Sequence, residues 1–136
     1  MSASGVNYLA VLVAGVAYFL LGGIWYAKPI FGKVWMQASG QTDEQMKASF
    51  SIWKMVWAFI GSLIAAYGIA RVLSWQAQVD AVRGLMVGLL VGVCFVFTIV
   101  TIRDQMESRP GKLTIISVIY NLIGLMMVGL IIGAWR

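Results

Sequence analysis

Apolar residues gather in four blocks along this chain, and the charged positions mark where each block stops. Charge-free runs cover residues 1–27, 55–70, 84–102 and 113–135. A helix needs about 20 mostly apolar residues, with a range of roughly 17–25, to cross the hydrocarbon core of a bilayer. Three runs reach that length unaided. The second is shorter, but Lys54 and Arg71 flank it and extend their charges to the headgroups while the helix continues. The pattern predicts helices over about 8–26, 54–73, 84–102 and 113–135. The expected fold is an all-α membrane protein, a four-transmembrane-helix bundle forming a single integral membrane domain over 1–136. Tyr8, Trp25, Tyr26, Trp53, Trp57, Trp75 and Trp135 fall at the predicted ends, the headgroup level that amphipathic rings favour.

The first loop has its own pattern. Pro29 lacks a backbone donor and disfavours helix at Lys28, so the first span should end there. Ile30, Phe31, Val34 and Trp35 then recur at helical spacing, which predicts a short interfacial helix in the headgroup plane. Ser39-Gly40 breaks it. Thr42 and Gln45 have the spacing of a capping box, with Met46, Phe50, Trp53 and Trp57 continuing on one face. The second span is therefore expected to begin as an amphipathic helix outside the hydrocarbon. In the third loop Asp104 and Glu107 would either meet on a helical turn and hold a divalent ion or pair with the neighbouring arginines.

Composition strengthens the membrane reading. The chain has 136 residues, 61% hydrophobic and 11% charged, against roughly 45–50% and about 25% in soluble domains. So few charges cannot cover a water-facing surface. Residues 1–27 lack the basic start of a signal peptide, since the first cation is Lys28. Of ten basic residues, Lys28, Lys33, Lys47, Lys54, Arg103, Arg109 and Lys112 lie at the first and third loops, and Arg71, Arg83 and Arg136 on the other side. That bias places the first and third loops in the cytoplasm and both termini outside.

Small and polar residues indicate the inward faces, because close backbone approach and interhelical hydrogen bonds drive association in lipid. Gly84, Gly88 and Gly92 form a stripe on the third span; Ala58, Gly61, Ala65 and Gly68 form one on the second. The first span offers Asn7, Ala14, Tyr18, Gly22 and Trp25. On the fourth, Ser117, Tyr120, Asn121 and Gly124 share one arc while Gly129 and Gly133 point elsewhere. That second face predicts contact with another copy, another protein or the first span. Tyr18, Ser62, Tyr120 and Asn121 make a candidate polar layer near mid-depth. It would serve either as a constriction for a small solute or as a hydrogen bond that fixes packing.

No ionisable residue lies in the central part of any predicted span, which disfavours a proton-driven exporter. The chain has no histidine and one cysteine, Cys94, so haem, zinc and iron–sulfur sites lack protein ligands and no cofactor is expected. Catalysis is not expected either, and nothing points to a nucleic-acid partner. The expected partners are the lipid bilayer and a further copy or another membrane protein.

Asn7-Tyr8, then Gly22-Gly23-x-Trp25-Tyr26-x-x-Pro29-x-Phe31-Gly32-x-x-Trp35, resembles an uncharacterised bacterial family of small four-helix membrane proteins, domain of unknown function 1761. The resemblance implies four spans in a bacterial cytoplasmic (inner) membrane and no transferable catalytic or ligand-binding residue. Physically, Trp25 and Tyr26 would anchor the first span at the interface, Pro29 would turn the chain and Gly32 would permit a close bend. Phe31 and Trp35 would dip into lipid or the bundle end. The function expected from sequence is a non-enzymatic membrane protein acting through helix contacts, as a homo-oligomer or accessory subunit. The alternative is a small-solute or ion channel or carrier built from several copies.

Overall fold

A computed structural model of the chain describes residues 6–26, 32–40, 42, 44–45, 48 and 51–135. Among these residues all regular structure is helical. Helix α1 spans Tyr8–Trp25, α2 Lys33–Ser39, α3 Ile52–Ser74, α4 Ala81–Met106 and α5 Gly111–Ala134. The four longer helices are long and apolar enough to cross a membrane, and their ends fall within about one turn of the expected ones. The short α2 takes the place of the expected interfacial helix, and none of its residues is buried in the protein.

Local chemistry sets the ends. Asn7 caps α1, its side-chain oxygen accepting from the Ala10 amide at 3.2 Å. Asp80 caps α4 by accepting from the Arg83 amide at 2.8 Å, so α4 starts before the charge-free run does. Gly40 closes α2 in the left-handed conformation, φ 74°. The capping box forms: the Thr42 amide donates to Gln45 Oε1 at 2.9 Å, and the Gln45 amide to Thr42 Oγ1 at 3.2 Å. The second span does not continue from it. Ser51 is extended and starts α3 afresh, its hydroxyl oxygen accepting from the Trp53 amide at 3.2 Å. Met46 and Phe50 lie outside the described residues, as do Lys28, Pro29, Ile30 and Phe31.

Helix α5 is the hub, packing against α1, α2, α3 and α4. The core joins Ala10 and Ala14 of α1, Ala66, Ile69 and Leu73 of α3, and Leu125, Val128 and Ile132 of α5. The small residues of α3 and α5 pack differently from expectation. A methyl group on Gly84 would fall on the Gly129 carbonyl, one on Gly88 on the Leu125 carbonyl, and one on Gly133 on the Asp80 carbonyl. Gly129 and Gly133 therefore face α4 of the same chain, neither α1 nor a second copy. The hairpin sets glycines of both helices at matching levels, and backbone-to-backbone contact follows. On α3 the packed face is Ser62, Ala66, Ile69, Ala70 and Leu73. The stripe expected there is open: a methyl on Gly61 or Gly68 would meet nothing within 4 Å.

Helix α4 carries a feature the pattern did not reveal, a π-helical stretch over Gly92–Phe97. Asp104 follows Gly92 by 12 residues. In an uninterrupted α-helix, at about 100° per residue, the two would point about 120° apart. A π-bulge absorbs one extra residue, about 100° of that difference. Both then face α5, where Gly92 meets Leu122 and Asp104 meets Thr114. The Thr98 hydroxyl donates to the Cys94 and Phe95 carbonyls at 2.9 and 3.0 Å, serving backbone acceptors at the irregular turn.

Candidate functional site

The first span and the hub meet along the arc read from sequence. Asn7 donates to the Trp135 carbonyl at 3.2 Å, and Trp25 Nε1 to the Ile116 carbonyl at 3.2 Å. Between these ends, the Tyr18 hydroxyl donates to Asn121 Oδ1. The Asn121 amide nitrogen donates back to the Ser117 carbonyl at 2.9 Å, and the Tyr120 hydroxyl to the Tyr18 carbonyl at 3.3 Å. Gly22 and Gly124 make the approach possible, since a methyl on either would strike Tyr120 or Tyr18. Ser62 comes in from α3, its hydroxyl donating to the Ala58 carbonyl at 2.8 Å.

These four polar residues line one cavity of about 750 Å³ between α1, α3 and α5. The rest of its wall is apolar or small, including Phe19, Gly22, Met55, Ala58, Gly61 and Ala65, with Tyr26 at one end. Leu20, Gly23, Met55, Ala58 and Gly61 are exposed on spanning helices, so the mouth opens sideways towards lipid. The volume lies within the ~300–1,000 Å³ of typical small-molecule sites. Among the described residues no lining residue is acidic or basic. The open stripe on α3 thus supplies cavity wall where a packing seam was expected.

The aromatic motif at the end of α1 turns inward more than its interfacial reading implies. Trp25 is half-buried and bonded to α5, and its ring lies 6.3 Å from that of Tyr120. Tyr26 packs edge-on to Tyr120 at 5.7 Å, and its hydroxyl lies 3.3 Å from Ser117 Oγ. Gly32 is buried with ordinary right-handed dihedrals, φ −60° and ψ −41°, so its conformation does not require a glycine. Gly32 and Trp35 join Tyr26, Ser117 and Arg109 around a second pocket of about 350 Å³.

A family model described as Protein of unknown function (DUF1761) matches residues 9–133. The chain belongs to that family. No curated protein and no solved structure matches it.

In this DUF1761 protein two groups at the α4–α5 turn escaped the sequence reading. Asp104 is only 3% exposed and accepts from Thr114 Oγ1 at 2.7 Å and from Arg103 at 3.0 and 3.1 Å. Glu107 pairs with Arg109 at 2.9 Å. The carboxylates thus pair with arginines, one of the two arrangements expected of them. The missed partner is Thr114, whose signal was a hydroxyl ten residues on, across a Pro-Gly turn. The other missed residue is Arg109 as a pocket wall. Only the fold brings it beside Tyr26 and Trp35.

Proposed function

We propose that this DUF1761 protein is a non-catalytic, multi-pass protein of a bacterial cytoplasmic membrane that takes the uncharged, largely apolar part of a small molecule from the lipid phase. Its basic loops face the cytoplasm and both termini lie outside. The lateral cavity beside the Tyr18–Asn121 pair is the observation that carries this reading. An apolar wall with a few fixed polar groups suits an apolar molecule with one or two neutral hydrogen-bonding groups. One Asn121 amide hydrogen and lone pairs on the Tyr18, Tyr120 and Ser62 oxygens remain after the internal bonds are counted. The described lining has no carboxylate, imidazole or amine for general acid–base chemistry to draw on.

A role through contacts with further copies or a partner subunit draws on the glycine stripes, the Gly129–Gly133 face and the lack of reactive groups, and of these α4 covers the Gly129–Gly133 face. Passage through several copies rested on the polar layer, whose members bond within one chain.

Gly61→Leu tests the proposal, because the position is open and leucine would fill the cavity without touching the core. The full chain in phosphatidylcholine nanodiscs should bind dodecanol, read by tryptophan fluorescence. Gly61→Leu should weaken binding by about tenfold with unchanged melting, whereas Gly68→Leu, equally open but outside the cavity, should not. Equal binding by all three proteins, or none by the parent, would count against it.

A further inference from the structure

We infer that the molecule held in the cavity carries an anionic head, a carboxylate or phosphate oxyanion seated against Arg109, with its chain entering past Tyr26. This rests on the cavity reading above and names the chemical class of its ligand. Tyr26 lines both the lateral cavity and the pocket at the end of the bundle. Among the described residues its hydroxyl reaches Ser117 alone, at 3.3 Å, and its ring leans on Tyr120. One aromatic side chain therefore separates an uncharged compartment from one with a cation in its wall.

Among the described residues, the wall of the outer pocket contains Arg109 and no acidic residue. Arg109 gives its Nε–H to Glu107, and its two terminal nitrogens make no bond among the described residues. That leaves the paired ends of a planar fork, the geometry that receives an oxyanion. The turn holds Arg109 in place. The Ser108 amide donates to the Gln105 carbonyl at 3.1 Å and the Arg109 amide to the Asp104 carbonyl at 2.9 Å, a Schellman closure with Ser108 at φ 56°. Glu107 offsets part of the Arg109 charge from the Nε side and leaves the paired ends of the fork open. Asp104 is occupied by Arg103 and Thr114, and the first turn of α5 has neither an acidic residue nor a side-chain cap. Trp35 and Tyr26 supply the aromatic rim that suits headgroup level.

A head that must be anionic beside a chain that must be uncharged describes a single-chain amphiphile. The same chemistry is offered by a bilayer phospholipid lending one chain and by a free fatty acid or alkyl phosphate. The test titrates the full chain in phosphatidylcholine nanodiscs with dodecyl phosphate, dodecanol and inorganic phosphate, read by tryptophan fluorescence. Dodecyl phosphate should bind about tenfold tighter than dodecanol. Arg109→Gln should abolish that difference while leaving dodecanol binding intact, and Lys112→Gln, a charge outside both pockets, should preserve it. Adding phosphatidylglycerol to the nanodisc identifies the source: displacement of dodecyl phosphate marks a bilayer lipid, persistence a free amphiphile, and both uphold the anionic head. Equal affinities for alcohol and phosphate, an unaltered Arg109→Gln variant, or inorganic phosphate binding as tightly as its dodecyl ester would each overturn the inference while the cavity reading stood. Failure of both dodecyl compounds to bind would overturn the two together.

Discussion

Tyr18 on α1 and Asn121 on α5 are joined by a side-chain hydrogen bond where the two helices cross the middle of the bundle. The bond supplies Asn121 with a partner where lipid offers none, and it forms part of the cavity wall. Tyr18→Phe should destabilise the protein by about 0.6–2 kcal/mol, the range of interhelical hydrogen bonds in membranes. A double-mutant cycle with Asn121→Leu, followed by unfolding in mixed micelles, measures the coupling. Strictly additive effects would show that the pair contributes nothing.

Glycines in this chain divide into two classes with opposite expected responses. Gly84→Ala or Gly129→Ala forces apart backbones already in contact and should cost about 2 kcal/mol or more. Gly61→Ala or Gly68→Ala meets open space and should be neutral or stabilising by roughly 0.5–1 kcal/mol through helix propensity. Thermal unfolding in nanodiscs separates the classes. Gly129→Leu should lose the fold itself, so a folded variant altered only in subunit number would contradict the internal seam.

Thr114 latches α5 to the end of α4 through the buried Asp104 carboxylate. Thr114→Val removes a donor to a charged group and should cost about 1.5–3 kcal/mol. Asp104→Asn keeps an oxygen for that hydroxyl and should cost less. The reverse order in urea or thermal melts would show that the charge of Asp104, and not the bond from Thr114, holds the turn.

Ser108 adopts a left-handed conformation that glycine tolerates better. Ser108→Gly should stabilise the protein by roughly 0.5–1 kcal/mol, the gain in φ exceeding the added chain entropy. A lowered melting temperature would argue that the serine side chain does something else there.

Orientation can be read directly. In a Cys94→Ser background, Lys112→Cys should react with an impermeant maleimide only from the cytoplasmic side, and Gln78→Cys, at an exposed position between α3 and α4, only from the opposite side. Labelling of Lys112→Cys in intact cells would invert the assignment.

The four spans were legible because charge placement and helix length are local properties of a chain in lipid. So was the α1–α5 seam, since Ser117, Tyr120, Asn121 and Gly124 mark one arc and all reach α1 or bond along it. The partner of Gly129 and Gly133 was not legible, because a small residue signals that something comes close without saying which helix does. On α3, Gly61 and Gly68 look the same in sequence as Gly84 and Gly88, yet one set borders empty space and the other a backbone. The pocket at Arg109 needed three distant segments brought together. The π-helical stretch left no trace in the hydrophobic pattern, for every residue of Gly92–Phe97 is apolar.

That stretch makes α4 one residue longer than its own register requires. Removing Val93 or Cys94 should convert it to ordinary α-helix while Gly84 and Asp104 both keep their bearing on α5. Removing one residue on either side of it, with the bulge retained, should swing the far end by about 100° and turn the Asp104 carboxylate away from Thr114. A deletion scan through this helix should therefore find a narrow island of tolerance in an otherwise intolerant span, at a place where nothing but spare length is lost.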